Sequence, residues 1–185
     1  MAALLRDPLS TLPARGRDSL AFFGQALGLT VVIFGIGLLL HEGLHIVVMR
    51  ALGADGVLIL RPWRWSVLGW QIYGLHAQPL SPLGPDRQFL VNLAGPIGAA
   101  VPFALLWWRI RSRTLRIALA LNVAILMFYG VIEALYVVLE SGLGLEGDWL
   151  TAPELNYGLP LLVTLAVLAW ASARLHPTLP GSRPL

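Results

Sequence analysis

Residues 19–40 read SLAFFGQALGLTVVIFGIGLLL and run straight into His41-Glu42-Gly43-Leu44-His45. The 22 residues carry no charge, and at about 1.5 Å of rise per residue they cross a hydrocarbon core about 30 Å thick. The run exceeds the roughly 7 to 15 apolar residues of a signal-peptide core and has no small-residue cleavage motif, so it predicts a retained membrane-spanning helix.

Three further apolar runs follow, over Gln88–Trp108, over Ile117–Leu139 with Glu133 inside it, and over Leu155–Ala173. They predict an all-α polytopic membrane protein with helices at about 19–52, 88–110, 115–140 and 155–175. The sequence divides into an N-terminal tail (1–18), one membrane-embedded domain (19–175) without internal repeats, and a C-terminal tail (176–185). Segment 54–87 is rich in β-formers, Pro and Gly, and predicts a small β-like hairpin or re-entrant loop between the first two helices. Its Trp63, Trp65 and Trp70 suit the headgroup level of a bilayer.

Composition agrees with this architecture. The chain is 57% hydrophobic and 12% charged, against about 25% charged in a soluble domain. With no cysteine, thiolate metal sites and disulfides are excluded, and any metal must be held by His, Asp or Glu. The net charge is +3 and all 13 basic residues are Arg; they are scattered between apolar runs, which argues against a nucleic-acid partner. Nine of them (Arg6, Arg15, Arg17, Arg109, Arg111, Arg113, Arg116, Arg174 and Arg183) fall at one end of the four spans. The other end has Arg50, Arg61, Arg64 and Arg87 beside the acidic Glu140, Glu146, Asp148 and Glu154. The excess predicts a multi-pass protein with both termini in the cytoplasm.

His41 and His45, four apart, share one helix face and can reach one zinc ion, while Glu42 lies about 100° round the helix, placed as the general base for a hydrolytic water. With four His in the chain, chance yields an H-E-x-x-H pattern about 0.002 times. If Arg50 marks the interface, both histidines lie roughly 8 to 14 Å below it, a depth at which ionisable groups are costly unless paired or metal-bound. A self-satisfied His–Glu patch that stabilises helix packing is the structural alternative.

The H-E-G-L-H segment at the end of a spanning helix, the β-like loop and the N-L-A-G-P-I-G segment of the next helix (Asn92–Gly98) together resemble the site-2 protease family of intramembrane zinc metalloproteases, in its short members without a PDZ insertion. The resemblance covers roughly residues 20–110 and implies one zinc per chain, a transmembrane protein as substrate and hydrolysis of a peptide bond in or near the bilayer. It also implies a third zinc ligand, an Asp usually found in an L-D-G segment that this chain lacks. The nearest counterpart, Glu146-Gly147-Asp148-Trp149, makes Asp148 the favoured ligand, with Glu133 and Glu140, seven apart on one helix face, as alternatives. By resemblance Asn92 lines the active site, orienting substrate or binding the oxyanion; its structural alternative is an interhelical hydrogen bond. Gly95 and Pro96 are expected to serve close packing, and His76 to be interfacial. In well-studied bacterial members the catalytic centre faces the cytoplasm, whereas the Arg count puts the metal end on the other side.

Two other functions fit the sequence less closely. One is a catalytically silent metal-binding scaffold or zinc sensor, favoured by the missing L-D-G. The other is a cation transporter using His41, Glu42 and Glu133, disfavoured by the absence of an inverted repeat. Four spans leave a water-filled site partly open to lipid, which makes a homo-oligomer or a membrane partner an expectation.

Overall fold

The structure, a computed structural model, describes residues 14–65 and 69–174, with the side chains of 14–17, 63, 65, 70 and 72 excepted. Four helices, α1 (Ala14–Ala51), α2 (Pro85–Arg109), α3 (Arg113–Val137) and α4 (Leu159–Arg174), are joined by a hairpin and two short connections. Helices α2, α3 and α4 lie within segments long and apolar enough to cross a membrane, and α1 forms another from Asp18 onward, with mean hydropathy between 1.5 and 2.1. The tails lie largely outside the described residues, as do the side chains on which the headgroup role of Trp63, Trp65 and Trp70 depends.

Helix ends depart from the apolar runs for local reasons. Helix α1 already includes Ala14, the first described residue, so the polar turn before Ser19 is helical as well as the apolar stretch. Helix α2 starts at Pro85, next to the extended Gly84, since the ring presets helical φ where no N–H partner is needed. A π-helical turn, Val138–Gly142, extends α3, and a second one, Glu154–Gly158, leads into α4.

Segment 54–87 resolves into a hairpin: β1 (Gly56–Trp65) pairs antiparallel with β2 (Trp70–Pro79), in register from Gly56 opposite Pro79 to Trp65 opposite Trp70. The hairpin is anchored at its open end, where Ala77 packs with Met49 of α1 and Val91 of α2. Gly56 stands against Met49 and Ile46 so closely that a Cβ there would overlap both side chains. This seats the two-stranded sheet, which has no core of its own, on the ends of two helices.

The bundle core is formed by Ile33 of α1, Ala99, Ala100 and Phe103 of α2, and Ala118, Leu119 and Leu126 of α3. Small residues let the axes approach: Gly37 of α1 faces Phe103 and Leu126, and Gly130 of α3 receives the Pro96 ring. Asn122, 1% exposed, ties α3 to α1 by donating to the Thr30 carbonyl at 3.1 Å, and to Ala118 of its own helix at 2.8 Å. Replacing Asn122 by Ala leaves the Thr30 carbonyl without this donor and should cost about 1 to 2 kcal/mol, the range of interhelical hydrogen bonds in apolar surroundings. Unfolding in mixed micelles titrated with a denaturing detergent measures the loss.

Candidate metal centre

His41 and His45 project from the last turns of α1 into the junction with α2 and α3. Both are buried, at 2% and 6% exposure, and they meet Glu133, near the middle of the span formed by α3 and its π-helical extension. His41 Nε2 lies 3.0 Å from Glu133 Oε1, and His45 Nε2 lies 3.2 Å from Glu133 Oε2. The two Nε2 atoms stand 2.7 Å apart. This group could hold a metal ion, one ligand atom from each residue, all within 4.8 Å of one another.

The hydrogen bonding favours a cation at that point. His45 Nδ1 donates to the Val91 carbonyl at 2.7 Å, which orients the ring and leaves Nε2 of the neutral imidazole as a lone pair. The Glu133 carboxylate only accepts. His41 Nδ1 is buried with no hydrogen-bond partner among the described residues, so His41 can bring at most one Nε2–H to a cluster of acceptors. Positive charge is needed to balance the group, as extra protons on the imidazoles or as a metal ion. Two imidazole nitrogens and one carboxylate beside a polar cavity are a donor set that could hold a divalent metal ion.

Helix α2 positions two of the three groups from one stretch. Val91 orients His45, and Gly95 lies under the same imidazole, where any Cβ would overlap the ring. Asn92 reaches α3: its Nδ2 donates to the Glu133 backbone carbonyl at 3.2 Å, while its Oδ1 accepts from Gln88 Nε2 at 2.5 Å. Its expected interhelical bond is thus present, and Asn92 also lines the cavity. Glu42, 6% exposed, points at the hairpin, where its Oε2 accepts the Ala77 N–H at 2.6 Å.

These groups open on a cavity of about 250 Å³ lined by Glu42, His45, Asn92 and Glu133 and, toward its mouth, by Arg61, His76, Tyr136 and Asp148. Burial pushes the His76 imidazole below its usual range, and the Arg61 charge adds to this. Asp148, favoured from sequence as third ligand, is exposed at the start of a 3-10 turn (Asp148–Thr151) beyond the end of α3 and stands outside the histidine group. Glu140 is exposed in the π-helical turn and is also outside the group. The carboxylate brought to the histidines is Glu133, because α3 runs parallel to α1: Asn122 meets Thr30, and the same number of residues further along each helix Glu133 meets His41. The 3-10 turn is tied beside the cavity by Asn156, whose side chain donates to the Leu150 carbonyl at 2.6 Å and whose own carbonyl accepts the Tyr129 hydroxyl at 2.8 Å.

Sequence reasoning misses the Val91 carbonyl, the Ala77 amide, Gln88, Tyr129 and Asn156. The first two are backbone groups and carry no residue signature. Glu133→Ala should remove most bound metal from purified protein, whereas Asp148→Ala should retain it; elemental analysis per chain decides between the two carboxylates. Gly95→Ala should weaken metal affinity about 10- to 100-fold, the usual effect of disturbing a group that orients a ligand, as measured by competition with a chelator.

No family model, curated protein or solved structure matches this chain, so the chemistry of the centre rests on its own geometry.

Proposed function

We propose that the chain is a membrane-embedded zinc endopeptidase that hydrolyses a peptide bond in or near a transmembrane segment of another protein, as its resemblance to site-2 proteases implies. The observation that carries this is that Glu42 shares one cavity with His45 and Glu133, two members of the His41, His45 and Glu133 group that could hold a metal ion. Membrane insertion is supported by the outward faces of the helices, where Val31, Val32, Leu39, Trp108 and Leu162 are exposed; apolar surface on this scale does not suit a soluble monomer.

His41, His45 and Glu133 would hold the zinc. When bound there, it acidifies water and polarises a carbonyl. Glu42 takes a proton from the attacking water and returns it to the leaving amine as the C–N bond breaks. The Ala77 N–H fixes the Glu42 carboxylate for both steps. Asn92 uses one Nδ2 hydrogen on Glu133 and keeps a second, available for the oxyanion. A helical substrate must unwind before its carbonyl can be attacked, and the outer edge of β2 offers backbone groups to an extended segment.

Orientation follows from charge. The ends of α2 and α4 and the start of α3 gather Arg109, Arg113, Arg116 and Arg174 opposite the metal end, with Arg116 stacked over Trp107 and Arg174 over Trp170. We place that end and both termini in the cytoplasm. A fluorescent reporter fused after Leu185 should light up and a phosphatase reporter there should stay inactive; the reverse pattern would invert the topology.

Glu42→Gln keeps the shape of the side chain and removes the base. It should lower cleavage of a single-span model substrate at least 100-fold while metal content stays near that of the unmodified chain. Full activity in this variant would refute the mechanism. A metal-loaded unmodified chain that cleaves nothing would point to the silent scaffold or sensor.

A further inference from the structure

The cavity mouth carries a charge that hydrolysis itself does not use. Arg61 stands on β1 at the position opposite Gly74. It lines the catalytic cavity and also a second groove, of about 530 Å³, that runs past His76, Gln78 and Pro79 to Pro82. Arg61, His76 and Pro79 belong to both, so the two form one path from the metal centre along the hairpin edge. Among the described residues lining that path Arg61 is the only Arg, and the chain has no Lys.

Among the described residues Arg61 also has no ion-pair partner. Glu42, Glu133 and Asp148 line the same cavity, yet among the described residues none of them, nor any other carboxylate, forms an ion pair with it. Beside it His76 is half-buried, which disfavours its charged form. An extended segment lying along β2 would therefore meet one exposed positive charge at the mouth of the passage, free to form charge-assisted hydrogen bonds with it.

We propose that Arg61 is a specificity-determining residue that selects substrates with an acidic side chain a few residues from the scissile bond. This rests on the endopeptidase function proposed above. Its guanidinium would hold the substrate carboxylate in a bidentate pair and fix the register of the segment in the cavity.

The test uses the full chain, loaded with zinc in detergent. The probes are single-span Leu/Ala model peptides with a central Asn-Gly break, carrying Asp, Asn or Lys at each position from four residues before to four after the break. The unmodified protein should prefer Asp over Asn at one position by about 10- to 100-fold in kcat/KM, the effect of a hydrogen bond to a charged group. Arg61→Ala should level this preference and Arg61→Glu should turn it toward Lys, while metal content stays at the unmodified level in both. Cleavage without charge preference, or an Asp preference that survives Arg61→Glu, overturns the role of Arg61 alone. Loss of metal in both variants would make Arg61 a structural residue and equally overturn it. No cleavage of any peptide by the unmodified, zinc-loaded chain would overturn the endopeptidase function itself.

Discussion

Two imidazoles and a carboxylate converge at one point inside an apolar helix bundle, and the rest of the structure is arranged around that convergence. Each group alone would be costly to remove from water. Together they are tolerable because opposite charges can be placed at 3.0 and 3.2 Å and the remaining ring nitrogen of His45 has a fixed acceptor. Meeting that demand requires three helices at close range. Helix α1 supplies both histidines from one face, α3 the carboxylate, and α2 the contacts that hold His45 and the Glu133 backbone in place.

Helix α2 therefore has a composition unlike an ordinary apolar span. Gly95 faces the His45 ring and Pro96 packs on Gly130, so consecutive residues bring α2 onto the other two helices. Pro96 also lacks the N–H that would bond the Asn92 carbonyl four residues back, which loosens the turn from which Asn92 reaches Glu133. In hydrocarbon, where apolar burial does not drive helix association, such close packing and interhelical hydrogen bonding do the holding.

The fold was legible to the extent that it follows from hydropathy. The four helices appear where the apolar runs predict them, and their ends move only where polar turns or a proline extend or start a helix. The segment rich in β-formers, Pro and Gly left a hairpin or a re-entrant loop open, and the length and register of the hairpin go with packing at Met49 and Val91, which no local pattern announces. At the site, the two histidines were legible because i and i+4 share a helix face whatever the surrounding fold. The third carboxylate was less so. Asp148 lies in the nearest counterpart of the L-D-G segment that the resemblance implies, but its position depends on a connection with several turns, whereas Glu133 is fixed by a continuous helix. The available signal was physical: a carboxylate in an apolar span needs a partner, and two buried histidines without one stood on another helix.

Glu42 and Glu133 illustrate how neighbouring carboxylates acquire different roles. Both oxygens of Glu133 face imidazole nitrogens, and its backbone carbonyl is held by Asn92, so its position is determined from two sides. Glu42 commits one oxygen to a single backbone N–H, although an ionised carboxylate has about four acceptor positions. The first arrangement suits a ligand, whose value is a fixed location. The second suits a base, which must be held firmly enough to face the water and still have capacity to accept its proton. Because that one hold comes from Ala77 on β2, the strand offered to substrate and the group proposed to activate water are mechanically the same element, and a displacement of the hairpin would be felt at both.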